Sequence, residues 1–200
     1  MRSGRLASLA GAALLLWSAS AQAHLASTGL GPVYDGISHF FLSLDDLLPV
    51  LAMALLAGLN GLVGARRALF VLPAAWFVGG LAGFYGGAAG LAARVTALPL
   101  LVLGTLVAAD RKLAWFVVAL LACALGLWNG WFNGAAIAVA GREAIALVGM
   151  GGAVFVLMAL TSALVLSLRS PWARISVRVA GSWIAATGLL MLGWSLSGRA

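Results

Sequence analysis

From residue 45 onward, long uninterrupted apolar runs alternate with short breaks that hold most of the charge. The runs fall at 45–64, 68–90, 95–109, 113–137, 145–168 and 175–196. About 20 residues at 1.5 Å each cross a hydrocarbon core of about 30 Å, so the pattern predicts six transmembrane helices. The third run is the shortest, bracketed by Arg94 and Asp110. The fourth exceeds what a span needs, so its last turns are expected to leave the lipid or bend. Apolarity is continuous, not alternating at every second residue. That excludes a β-barrel and leaves helices as the way to satisfy the backbone in lipid.

Composition strengthens this reading. Of 200 residues, 64% are apolar and 8% charged. A soluble domain carries about 25% charged residues, so this chain lacks the polar material to cover a surface in water. The expected fold class is all-α, a polytopic membrane helix bundle whose main partner is the lipid bilayer. The net charge of +7 is spread thinly along the chain and forms no nucleic-acid patch. A single cysteine, Cys123, excludes an internal disulfide and any CxxC site.

The first 23 residues read as a leader. Arg2 and Arg5 form a basic start, Leu6 to Trp17 an apolar stretch, and Ala21-Gln22-Ala23 a small-x-small cleavage site. The organisation expected is a cleaved signal peptide at 1–23, a short periplasmic segment at 24–44 and a transmembrane domain at 45–200. An uncleaved signal anchor is the alternative. Cleavage would leave His24 at the N-terminus with an amine and an imidazole available to a divalent metal; chance processing can leave the same residue. With the N-terminus exported, Arg66, Arg67, Arg111, Lys112, Arg169, Arg174 and Arg178 fall inside, and Arg94, Arg142 and Arg199 outside. This bias agrees with the leader in placing the N-terminus in the periplasm.

Lipid does not drive one span onto another, so close backbone approach must. Gly79, Gly83 and Gly87 recur every fourth residue in the second run, and Gly126, Gly130 and Gly134 in the fourth. Each set lies along one helix face. They read as packing stripes, with a narrow route as the functional alternative.

Polar side chains inside lipid are costly and default to function. Few occur here. The N-terminal segment and the start of the first span hold His24, Asp35, His39, Asp45 and Asp46. Ser43 and Asp46 fit a capping box, which accounts for one carboxylate but not for two. Asp45 and Asp46 diverge by about 100° around a helix, so one can face the bundle while the other faces the mouth. Pro49 cannot donate to the Asp45 carbonyl and leaves that oxygen free, either for a cation or as a tolerated kink. Asn129 and Asn133 share a face toward the outer half of the fourth run. They are either interhelical glue or neutral oxygen donors opposite the carboxylates. Asn60 belongs near the inner end of the first span, and Asp110-Arg111-Lys112 and Arg142-Glu143 read as solvated loop charges.

These residues resemble the HupE/UreJ family of small bacterial membrane proteins, associated with nickel or cobalt uptake. The family shows an early histidine after its leader, as Ala23-His24 provides, and about six spans. Its His-Pro-x-x-Gly-x-Asp-His pattern corresponds to His39 through Asp46, with His39 and Asp45 matching and Asp46 replacing the second histidine. Its His-Gly-x-x-His-Gly pattern corresponds to Asn129-Gly130-Trp131-Phe132-Asn133-Gly134, with both histidines replaced by asparagine. The resemblance implies a metal site at His39 and Asp45, with Asp46, Asn129 and Asn133 inheriting positions and His24 an external ligand role. It implies a secondary permease for a divalent transition-metal cation in the inner membrane, with no tightly bound cofactor. The oxygen-rich set suits harder ions better than nickel.

A non-transporting accessory or assembly subunit, alone or with a membrane partner, is the competing function. The glycine stripes also permit a homo-oligomer. No enzyme is expected. Two adjacent aspartates on one helix cannot act as a dyad drawn from two helices, no GxSxG element accompanies the histidines, and no P-loop is present.

Overall fold

The computed structural model describes residues 28–87 and 97–197. The expected leader, His24 and Arg94 lie outside the described residues. Helix α1 spans Pro32–Leu42 and begins as the residue types allow: Gly31 at φ 104° turns the chain and Pro32 supplies a pre-set first turn. This segment carried no predicted element. Its apolar positions Val33, Ile37, Phe40 and Phe41 do recur at helical spacing. At Ser43 the chain bends by 75° into α2, Leu44–Leu59.

The remaining helices are α3 Leu62–Gly86, α4 Ala97–Ala108, α5 Trp115–Val139, α6 Ala146–Ser167 and α7 Pro171–Leu196. Helices α3, α5, α6 and α7 are long and apolar enough to cross a membrane, and the bent α1–α2 pair can supply a fifth crossing. No strand occurs among the described residues. Exposed Phe70, Leu120, Leu160, Trp172 and Trp183 clothe the outside with apolar surface suited to lipid. The chain is a membrane protein built as a polytopic helical bundle.

One predicted boundary moves. The run at 45–64 ends early, because Asn60 folds its amide back onto the Leu56 carbonyl at 2.8 Å and Gly61 takes φ 89°. Arg66 and Arg67 therefore lie in the first turns of α3 rather than in a loop. Long basic stems can do this, since the head group reaches past the helix end; Arg67 stacks on the Trp115 ring at 4.6 Å. Arg66, Arg67, Arg111, Lys112, Arg169, Arg174 and Arg178 gather where α2, α4 and α6 finish. We call this the basic end.

Packing runs through glycine. α3 and α5 lie parallel: a Cβ on Gly79 would meet the Leu127 backbone, one on Gly83 the Trp131 carbonyl, one on Gly130 the Trp76 carbonyl, and one on Gly134 the Gly80 carbonyl. Gly87 departs from its predicted stripe. It ends α3 at φ 82° with open space around it, a left-handed stop rather than a packing contact. α4 pairs antiparallel with α7 through Gly104, Gly181 and Gly188. α2 is the central rod: Val50, Ala52, Met53, Ala54, Leu56 and Ala57 are fully buried.

Arg142 and Asp110 are not the solvated loop charges that their context suggests. Asp35, buried on α1, accepts bonds from the Thr28 amide and hydroxyl at 2.6 and 2.7 Å and from the Arg142 guanidinium. Both oxygens of Asp110 accept from one nitrogen of Arg174, Nη2, at 2.9 and 3.0 Å. Burying Asp35 draws the opposite charge to it, while the Asp110 pair stays partly exposed. Arg142 keeps 29% exposure, so losing its bond to Asp35 costs about 1.5 kcal/mol. Arg142→Met is expected to raise hydrogen exchange across α1 about tenfold. Unchanged exchange would remove this ion pair from what holds α1.

Candidate metal site

The bend at Ser43 creates the site. The Ser43 amide already donates to the His39 carbonyl at 2.9 Å as the stop of α1. A reciprocal capping box would need that amide, so none forms, and Ser43 Oγ makes no capping bond. It lies instead 3.4 Å from His39 Nε2. The carboxylate of Asp46, freed from capping, turns into the bundle.

There it meets α5. Asn133 Nδ2 donates to Asp46 Oδ1 at 2.8 Å and to the Asn129 carbonyl at 2.9 Å. Both acceptors are oxygens, so the orientation of this amide is fixed by chemistry: the NH2 faces Asp46 and the carbonyl oxygen faces away. His39 faces the same Asn133 side chain. Asp46, Asn133, His39 and Ser43 thus form one polar cluster at the junction of α1, α2 and α5.

Three features define its chemistry. Asp46, Asn129 and Asn133 are all buried. The ion pairs among the described residues involve Asp35, Asp110, Arg142, Lys112 and Arg174, and none reaches Asp46. Asn129 sits one turn nearer the basic end than Asn133, and its Nδ2 is buried without a hydrogen-bond partner, as are the indole nitrogens of Trp76 and Trp128. A carboxylate sunk among neutral amides has large electrostatic demand and little compensation. No group of three or more His, Cys, Asp or Glu occurs among the described residues. A cation held here would draw on one carboxylate, one imidazole and amide oxygens.

The structure sorts the predicted residues. It joins Asp46 and Asn133 directly and links Asn129 through Asn133. It places His39 beside them, and it leaves Asp45, about 100° further round α2, exposed. His24 lies outside the described residues. Pro49 is buried inside α2, one turn below Asp45. Sequence reasoning missed the Ser43–His39 contact, although a spacing of four places both on the same side of a continuous helix, and it missed the Asp35–Arg142 pair, which no spacing announces.

The sequence model of one protein family, described as HupE / UreJ protein, matches residues 12–191. The chain belongs to the HupE/UreJ family. HupE/UreJ is a membrane permease-like family rather than an enzyme family, linked to nickel or cobalt transport or to urease and hydrogenase maturation. No curated protein and no solved structure matches the chain. In this HupE/UreJ chain, the two asparagines that stand in histidine positions of the resemblance are the buried amides of the cluster, and the Asp46 that replaces a histidine is its carboxylate.

Proposed function

We propose that this chain is a secondary permease for a divalent transition-metal cation. It works in the bacterial inner membrane with its N-terminus in the periplasm, and it takes up nickel- or cobalt-type ions through a site of altered hardness. The observation that carries this reading is the buried Asp46 carboxylate, bonded to an amide of a second helix and, among the described residues, reached by no Lys or Arg side chain. A divalent ion supplies the missing charge. His39 adds the one ligand that favours nickel, cobalt or zinc over magnesium. Asn133 acts by holding Asp46, because both of its amide protons are spent on oxygens and its carbonyl oxygen is left toward His39. A broken helix with polar groups at the break is how secondary transporters present ligands inside lipid.

One observation favours an accessory or assembly role instead. Between Asp46 and Asn60, the core of α2 is sealed by fully buried apolar residues, with no polar stepping stone for about 21 Å. Transport therefore requires α2 to separate from its neighbours during each cycle.

Proteoliposomes containing this chain alone separate the two. A permease accumulates Ni²⁺, Co²⁺ or Mn²⁺ down an imposed gradient, with His39→Ala weakening Ni²⁺ and Co²⁺ relative to Mn²⁺. Vesicles that stay empty until a partner protein is added would overturn the permease reading in favour of the subunit.

A further inference from the structure

The basic end holds a second polar cluster that the site above does not use. α2 ends there, and the last carbonyls of a helix carry its negative pole. Two are claimed in unequal ways. The Leu56 carbonyl is held within the helix by the Asn60 amide and side chain. The Leu59 carbonyl accepts instead from Lys112 Nζ, a residue of the α4–α5 loop. The same ammonium stands 3.7 Å from Asp110 Oδ1. Leu113 N donates to Asn60 Oδ1 at 2.6 Å, which seats the loop against the helix end.

The loop itself is firmly built. Arg174 grips both oxygens of Asp110, and Arg178 Nε donates to the Ala108 carbonyl at 2.9 Å. Asp110 is the one non-glycine residue with positive φ among those described, at 47°. Such a conformation persists where surrounding contacts hold it. Lys112 is the loose member. Its side chain is 62% exposed and hangs on a flexible four-carbon stem. One carbonyl and one carboxylate oxygen are thus both approached by a single movable ammonium of the protein, which shares the carboxylate with Arg174.

We propose that the Leu59 carbonyl and the Asp110 carboxylate form a release station for a divalent cation, occupied at rest by the Lys112 ammonium, which displaces the departing ion. This rests on the permease reading, since α2 carries Asp46 at its other end. A tethered ammonium has an effective concentration on the order of millimolar, enough to compete with an ion held by two oxygens. Weak, contested binding is what an exit requires, because an ion must leave as readily as it arrives. The arginines cannot play this part: both are committed to positions that shape the loop.

Direct binding of Mn²⁺, an oxygen-seeking probe visible by electron paramagnetic resonance, tests the station without transport. In purified Asp46→Asn protein, where the first site is disabled, Lys112→Met is expected to bind Mn²⁺ at least tenfold more tightly. Adding Asp110→Asn is expected to abolish the gain, and Lys112→Arg to show none. No gain in Lys112→Met, or a gain that survives Asp110→Asn, overturns the station. In proteoliposomes of otherwise native sequence, Lys112→Met is expected to slow uptake while lowering the metal concentration at half-saturation. Tighter binding with unchanged uptake rate overturns the release role. If native vesicles take up no metal, the permease reading falls by itself, and the Mn²⁺ result still decides whether the station exists.

Discussion

Asp46→Asn is expected to abolish metal accumulation while leaving the amount of protein in the membrane unchanged. The substitution is nearly isosteric. It keeps an acceptor oxygen for Asn133 Nδ2, now 2.8 Å from the carboxylate, and removes only the charge. Even a hydrogen bond to a charged group is worth roughly 1.5–3 kcal/mol, and a carboxylate–cation contact loses at least that when the charge is removed. That is about tenfold to a hundredfold in affinity. Asp45→Asn is the internal control. Its side chain is exposed, about 100° round α2 from Asp46, so its removal is expected to lower accumulation modestly through local ion concentration at the mouth. Measured uptake of radiolabelled Ni²⁺ or Co²⁺ in cells, normalised to membrane protein, decides the matter. Equal loss in the two variants would mean that burial does not select the working carboxylate, and full retention in Asp46→Asn would end the site.

The second large effect is structural. Gly134→Val is expected to prevent stable assembly, with little protein surviving extraction from the membrane in folded form. A Cβ at this position would overlap the Gly80 carbonyl of α3. The obstacle is backbone, which cannot swing aside as a side chain can. Overpacking a core usually costs about 1–3 kcal/mol, and here the whole α3–α5 seam must separate, so the cost lies at or above the top of that range. It also moves α5, and with it Asn129 and Asn133, away from Asp46. Gly152→Val on α6 provides the comparison. A Cβ there meets nothing within 4 Å and the backbone is helical, so this variant is expected to behave as native. Size-exclusion profiles and thermal unfolding in detergent separate the two outcomes. A folded, monodisperse Gly134→Val would show that the α3–α5 contact is looser than its glycines require.

Burial divides Asp45 from Asp46 in a way that pattern matching does not. By type and spacing Asp45 is the residue that continues the family motif, and Asp46 is a replacement. After the 75° bend at Ser43, α2 packs with Asp46 turned inward. Similarly, Ser43 and Asp46 have the spacing of a capping box. The box fails because the amide it would use already closes α1. A local rule assumed a helix that starts from an open chain, and here one helix starts where another stops.

The amino-acid sequence by itself determined that this protein lives in lipid, that it is helical, which residues end up at the basic end, and that its few polar side chains concentrate near the start of α2 and the middle of α5. Each of these follows from composition or from periodicity along a single segment, where the physics is the one-dimensional matching of apolar length to bilayer thickness. The tertiary structure alone decided which carboxylate is buried, that Asn133 spends its amide on Asp46, that Asp35 draws Arg142 from more than a hundred residues away, and that Lys112 lies on the end of α2. Those depend on helix rotation and on pairings between distant segments. Neither is written in the spacing of any one helix; both are set by which glycine seams let the backbones approach.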